Sequence, residues 1–180
     1  MKRAVFLDRD GVINRSPAEG EYVTRWEDFH FLPGAAEAIS LLDRAGWSVI
    51  VISNQRCVAT GLLTIAELET IHRRMREELA RCGARLDGIY YCPHDKEPPC
   101  ACRKPSPGML LTAAREHQID LRASWMVGNS DSDIEAGKRA GCHTIRILAD
   151  PPAENGGNDH FARSLLEASG QVLSVADKVS

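Results

Sequence analysis

Two aspartates two positions apart, Asp8 and Asp10, end the apolar run Val5-Phe6-Leu7 and are followed by Gly11. In a strand, alternate residues point the same way, so both carboxylates would leave the sheet together. Parallel strands present their chemistry at their C-terminal edges, and this pair lies at such an edge. Two like charges so close need a compensating cation or a shared proton. A divalent metal with a bound phosphate meets that need: one aspartate attacks phosphorus while the other handles the leaving-group proton. Taken alone, an Asp-rich turn after an ordinary strand explains the pair equally well.

Three further junctions carry groups suited to the same task. Ser53-Asn54-Gln55 follows an apolar run and offers a hydroxyl and amides as donors to phosphate oxygens, although Ser-Asn is also ordinary turn chemistry. Arg103-Lys104-Pro105 places cations before a helix, where they neutralise charge on a transferring phosphoryl group. A solvated basic pair is the plain alternative. Gly128-Asn129-Ser130-Asp131-Ser132-Asp133 gathers oxygen donors at a helix start, and hard donors of this kind suit magnesium. Helix capping by itself accounts for Asp131 and for part of Asp133.

A second metal pattern lies between these junctions. Cys92, His94, Cys100 and Cys102 form C-x-H-x5-C-x-C, the Cys3His composition of closed tetrahedral zinc sites. A disulfide or a chance cluster of thiols would use the same residues. Cys57, Cys82 and Cys142 stand apart and read as small packing residues. The loop 92–102 runs directly into Arg103-Lys104, so fixing it would position the lysine.

The elements that must carry these groups are legible. Strand candidates are Ala4 to Leu7, Ser48 to Ile52, Gly88 to Tyr91, Ser124 to Val127 and His143 to Leu148. Several are nearly unbroken apolar runs, as in a parallel sheet covered on both faces. Helices lie between them: one from Pro33-Gly34 to Ala45-Gly46, and one from the capping-box pattern Thr64/Glu67 to Cys82-Gly83. A third starts at Ser106-Pro107, and a fourth runs from Ser130 or Asp131 to Ala140-Gly141. Asp150 to Asp159, with Pro151-Pro152 and Gly156-Gly157, reads as a loop, and Phe161, Leu165, Leu166 and Ala168 suggest a last helix. The expectation is an α/β fold: a single three-layer Rossmann-like domain over residues 1–180, with a mainly parallel sheet and no large cap domain.

Composition excludes other classes. Twenty-two basic and 25 acidic residues give a formal net charge of -3 with no basic stripe, so no nucleic-acid partner is expected. The Arg73-Arg74-Met75-Arg76 segment alternates with acids on a solvated helix face. No apolar run approaches membrane-spanning length. The N-terminus enters a strand directly, which leaves no room for a signal peptide and makes the cytoplasm the expected location. A monomer is expected. His72 and His117 fall on amphipathic helices, and His30, His143 and His160 suggest no partners.

In order and placement the junctions resemble the haloacid dehalogenase-like phosphatases over nearly the whole chain. Asp8-Arg9-Asp10-Gly11 matches the first motif of that family, Ser53-Asn54 the second, Lys104 the third and Gly128 to Asp133 the fourth. The resemblance implies Asp8 as the nucleophile that becomes an aspartyl-phosphate and Asp10 as general acid, then base. It implies Ser53, Asn54 and Lys104 as stabilisers of the phosphoryl group. Magnesium would sit between Asp8, the Asp10 carbonyl and the fourth motif, with Asp131 or Asp133 as further contributors. Where the family usually has an aspartate after the glycine of that motif, this chain has Asn129.

With its zinc loop, the chain is similar to the D,D-heptose 1,7-bisphosphate phosphatases and the related histidinol-phosphate phosphatases. Asp8 to Asn14, Tyr22-Val23, Ser53-Asn54-Gln55, Thr60-Gly61, Tyr90 to His94 and Cys102 to Pro105 carry the likeness to the heptose enzymes. The five-residue spacing from His94 to Cys100 resembles the histidinol-phosphate branch. The implied substrate is a small sugar phosphate, used in making nucleotide-activated heptose. Arg103, Gly20, Glu21, Tyr22, Gln55 and Arg56 would be placed beside it. A phosphate-binding protein that has lost catalysis is the alternative from another class, with Asn129 as its evidence.

Overall fold

The computed structural model describes residues 1–18, 20–150 and 160–176. Six parallel strands form one sheet: β1 (Ala4–Leu7), β2 (Ser48–Asn54), β3 (Gly88–Cys92), β4 (Trp125–Gly128), β5 (His143–Ile147) and β6 (His160–Ala162), in the spatial order β3-β2-β1-β4-β5-β6. The chain steps outward from β1 to β3, then returns to lay β4 along the other side of β1. That reversal creates a switch point at the C-terminal ends of β1 and β4, where open α/β sheets bind ligands.

Helices cover both faces. They are α1 (Ala35–Arg44), α2 (Ile65–Arg81), α3 (Gly108–His117), α4 (Asp131–Ala140) and α5 (Leu165–Ala176). Alternation along the strands divides the core in two. Val5, Leu7, Val49, Val51 and Val127 pack with Ile39 and Leu42 of α1, Leu68 and Met75 of α2, and Ala168 of α5. Phe6, Ile50, Ile52 and Met126 pack with Leu110 and Ala113 of α3 and Ala136 of α4. The result is the expected three-layer α/β arrangement, with no large cap domain among the described residues.

The differences from expectation have local causes. β2 continues past Ile52 to Asn54 because β3 extends to Cys92, and the two ends pair. β4 begins at Trp125, since Ser124 closes a short 3-10 turn with its hydroxyl on the Asp120 carbonyl and receives the Ala4 N–H. Phe161 lies in β6, a short edge strand beside β5, and the last helix begins only at Leu165. A three-residue strand is too brief for a sequence period to declare itself. The Pro151-Pro152 and Gly156-Gly157 loop and the residues after 176 lie outside the described residues.

α2 has legible ends. Thr64 Oγ1 accepts from the Glu67 N–H, and Glu67 returns a carboxylate oxygen to the Thr64 N–H at 2.8 Å. Its buried stripe is Leu68, Ile71, His72, Met75 and Leu79, with Arg73, Arg74 and Arg76 outside. Removing an N-cap side chain costs about 1 kcal/mol. Thr64→Ala should therefore lower the unfolding free energy by that amount, read as a lower denaturant midpoint at an unchanged slope of the unfolding curve.

Candidate active site

The ends of β1, β2 and β4 bring the predicted residues together. The β1–β4 ladder continues one residue beyond Leu7, through the Asp8 N–H to the Val127 carbonyl at 3.0 Å, and so fixes the Asp8 backbone. From the turn that precedes α3, Lys104 reaches in beneath it. Its Nζ donates to Asp8 Oδ1 at 2.7 Å and to the Ile52 carbonyl at 2.8 Å, and pairs with Asp133 Oδ1 at 2.6 Å. Lys104 is 4% exposed. Burial pulls its pKa down, but the Asp8 and Asp133 charges outweigh this and leave it raised. Burial and the charge of Asp133 push the Asp8 pKa up as well, to about 7, against the pull of Lys104. An acid so placed calls for more positive charge than one lysine provides.

Asp133 differs from the expectation of a metal ligand. It is fully buried, and its second oxygen accepts from the Asn129 and Ser130 N–H groups and from Ser130 Oγ, forming a capping box at the start of α4. Both oxygens are committed to the helix end and to Lys104. Gly128 makes room for this arrangement, because a Cβ there would stand 2.2 Å from Asp133 Cβ. Asp131 also departs from the expected place: its side chain is 91% exposed and pairs with Arg146 at 2.6 Å. Asn129 does face the site. A Cβ on Gly11, whose φ is +87°, would stand 2.1 Å from Asn129 Nδ2.

The donor set left for a magnesium ion is small but chemically apt. Asp8 Oδ2 and the Asn129 amide make no hydrogen bond among the described residues, and the Asp10 carbonyl accepts no backbone bond. These are hard oxygen donors at one strand edge, as magnesium requires. The set carries one carboxylate.

Asp10 is held by a different group of residues. Arg9 Nη2 lies 2.9 Å from both of its oxygens, Asn14 Nδ2 donates to Oδ1 at 2.9 Å, and Gln55 Nε2 donates to Oδ2 at 3.1 Å. Burial would raise the Asp10 pKa, but the Arg9 charge and these bonds hold it below the ordinary carboxylate value. Its side chain is still 24% exposed, so it can exchange protons with solvent or a ligand. Gln55, placed beside a sugar by the resemblance, is instead buried, and its Nε2 also donates to Ser53 Oγ at 2.6 Å. Accepting that bond leaves the Ser53 hydroxyl proton free to donate.

Asn54 likewise works on the protein itself. Its amide donates to the Lys104 carbonyl at 3.1 Å and accepts from the Lys104 N–H at 3.0 Å, pinning the lysine backbone to the end of β2. A cavity of ≈ 390 Å³ opens beside Lys104, lined by Asn54, Lys96, Arg103 and Ser132 among others. Arg103 lies at its wall and also donates to the His94 carbonyl at 3.2 Å. Arg56 pairs with Asp95 of the cysteine loop at 2.6 Å. Gly20, Glu21 and Tyr22 line a separate cavity with Arg15 and Leu62, rather than the one beside Lys104.

Cys92, His94, Cys100 and Cys102 converge as the spacing implied, with all four ligand atoms within 4.8 Å of one another. Sulfur–sulfur separations are 3.2, 3.4 and 3.6 Å, and His94 Nδ1 lies 3.2 Å from Cys102 Sγ. The three cysteines carry free thiols, with their sulfurs too far apart for a disulfide bond. A zinc tetrahedron with bonds of about 2.3 Å to sulfur has edges of roughly 3.7 Å, so the cluster is close to the size zinc needs.

Three residues of the site escaped sequence reading. Arg9 is 1% exposed and Asn14 is fully buried, and both hold Asp10. His72, 4% exposed on α2, meets Arg9 Nη1 at 3.2 Å. Only His72 left a usable signal: it lies four residues from Leu68 on the apolar stripe, where a polar side chain needs a buried partner.

Lys104→Met would leave Asp8 and Asp133 buried together without their cation. Breaking a buried pair in this way costs about 3–5 kcal/mol. The variant should unfold at correspondingly lower denaturant, and the loss should shrink when Asp133 is replaced by Asn in the same chain.

The HAD-hydrolase-like family model matches residues 101–168. The D-glycero-beta-D-manno-heptose-1,7-bisphosphate 7-phosphatase of Pseudomonas putida is 40% identical over 145 residues, 81% of this chain and 82% of its own. The D-glycero-D-manno-heptose-1,7-bisphosphate 7-phosphatase of Thermosynechococcus vestitus is 40% identical over 188 aligned positions, 98% of this chain and 89% of its own. The crystal structure of D,D-heptose 1,7-bisphosphate phosphatase from B. bronchiseptica, complexed with magnesium and phosphate, aligns with a TM-score of 0.86 at 35% identity, covering 97% of this chain and 99% of that one. With its parallel sheet and its Asp8–Lys104–Asp133 cluster at the switch point, the chain belongs to the HAD-like hydrolases, in the branch of the D-glycero-D-manno-heptose-1,7-bisphosphate 7-phosphatases.

Proposed function

We propose that this protein is a phosphoric monoester hydrolase that removes the 7-phosphate of D-glycero-D-manno-heptose 1,7-bisphosphate through an aspartyl-phosphate on Asp8. The observation that carries the reading is the buried contact between Asp8 and Lys104, at the strand edge that also holds Asp10. Relatives bearing that activity in their names cover four-fifths or more of the chain.

The chemistry follows from the placements. Lys104 holds one Asp8 oxygen and leaves the other to attack phosphorus. As the new oxygen–phosphorus bond forms and the bond to the sugar oxygen breaks, Asp10 gives its proton to the leaving alkoxide. The Arg9 contact keeps Asp10 ionised in the free protein, so Asp10 takes up that proton only once the negatively charged phosphate lies beside it. In the second half, Asp10 takes a proton from the water that hydrolyses the aspartyl-phosphate. Ser53 donates to a phosphoryl oxygen, and Lys104 offsets the charge gathering there. Asp8, the Asp10 carbonyl and Asn129 would hold magnesium, which when bound supplies the positive charge that lowers the Asp8 pKa and draws the phosphate in.

Arg103, at the wall of the cavity beside Lys104, is the proposed contact for the remainder of the sugar phosphate. Cys92, His94, Cys100 and Cys102 would hold zinc in a closed site whose task is to fix the loop leading to Lys104. The domain is proposed to act as a monomer in the cytoplasm. Among the described residues, no helix is long and apolar enough to cross a membrane.

Purified protein with magnesium should release phosphate from heptose 1,7-bisphosphate with far higher kcat/KM than from histidinol phosphate. The reverse preference would contradict the substrate assignment. Asp8→Asn should abolish turnover with the fold intact, because an amide cannot attack phosphorus. Asp10→Asn should lose ~10²–10⁴-fold in rate. Metal analysis of protein purified without chelator should find one zinc per chain, and Cys100→Ser should lose both that metal and thermal stability.

A further inference from the structure

Arg9 is among the largest fully buried side chains in the molecule. A guanidinium cannot shed its proton inside a protein, so its burial is tolerable only where its donors are matched. On one edge, Nε and Nη2 meet Asp10 at 2.9–3.2 Å. On the other side, Nη1 lies 3.2 Å from His72 Nε2. The guanidinium carbon sits 6.0 Å from the Phe29 ring centroid, which limits its tilt. Guanidinium nitrogens only donate, so His72 Nε2 must be the acceptor and the imidazole must be neutral. Burial, reinforced by the charge of Arg9, lowers the His72 pKa to about 3 and keeps it in that state. The ring is tilted against Tyr91 at 5.5 Å between centroids, which fixes its orientation.

We infer that His72 is a positioning residue for the acid–base step: by accepting from Arg9 it fixes the guanidinium fork, and the fork sets the plane of the Asp10 carboxylate toward the leaving oxygen. The inference rests on the proposed role of Asp10. A bidentate arginine–carboxylate contact is directional, and rotating the guanidinium by a few tens of degrees breaks one of its two arms. His72 itself touches neither phosphate nor sugar. It stands to Asp10 as an outer residue that orients the residue doing chemistry.

The consequence is selective. Transfer to Asp8 from an alkyl phosphate needs a proton on the departing oxygen, whereas an aryl phosphate such as 4-nitrophenyl phosphate releases a stable phenolate without one. kcat/KM reports steps up to the first irreversible one, here formation of the aspartyl-phosphate. His72→Leu, which offers no acceptor, should lower kcat/KM for the sugar bisphosphate by about tenfold or more, within the range for disturbing a general acid. It should leave kcat/KM for 4-nitrophenyl phosphate within about twofold. His72→Gln, whose amide oxygen can accept from Arg9, should recover most of the loss. Arg9→Lys keeps the charge but cannot span Asp10 and His72 together. It should show the same selective loss, and it stands in for the leucine variant should that chain not fold.

An equal fall on both substrates would overturn the inference, because His72 would then serve the fold alone. Unchanged rates on both, or a glutamine variant no better than leucine, would overturn it as well. Wild-type protein that fails to hydrolyse the sugar bisphosphate would instead count against the proposed function, and that result is read before any variant is compared.

Discussion

Lys104 Nζ, buried between Asp8, Asp133 and the Ile52 carbonyl, is the group on which the rest of the site depends. Two carboxylates enclosed at a strand edge would repel each other and resist ionisation, and this ammonium lets them share the space. Its own position is fixed from three directions. Asn54 clasps its backbone, Asp133 is locked by the cap of α4, and the cysteine–histidine loop runs into it from β3. Each of these anchors comes from a different strand end. The parallel sheet therefore acts as the jig that makes one lysine contact possible.

The same economy separates the two aspartates by environment. Asp8, buried beside Asp133, has its pKa raised, whereas Asp10, clasped by Arg9, has its pKa lowered. A working nucleophile must be ionised and a general acid protonated, so bound cation and phosphate have to reverse both shifts: positive charge lowers Asp8, and the phosphate's negative charge raises Asp10. Asn129 belongs to this balance. A second carboxylate there would add to the charge that Lys104 already offsets, whereas a neutral amide offers an oxygen without that burden.

Much of this was legible in the sequence, for physical reasons. Strands buried on both faces show as unbroken apolar runs, so β1, β2 and β4 and the junctions after them could be read directly. The Cys3His spacing is local, and its four ligand atoms do converge. What could not be read depends on direction rather than identity. Asn54 was expected at the phosphate and Gln55 beside the sugar, yet one turns to the Lys104 backbone and the other to Asp10 and Ser53. Asp131 and Asp133 look alike in sequence, but the first residue of a helix points outward to Arg146 and the third folds back over the helix start. Nothing local in the sequence marks Arg9, between two aspartates, as buried. Only the sheet and α2 together reveal that it is enclosed.

The most direct test of the account is to locate the phosphoryl group in mid-reaction. Enzyme mixed with substrate and magnesium, quenched in acid within a single turnover, can be digested and its peptides weighed. The account predicts phosphate on the N-terminal peptide, attached at Asp8 and released by mild base. Product formed at full rate with no phosphate on that peptide at any quench time, or phosphate attached at another residue, would contradict it.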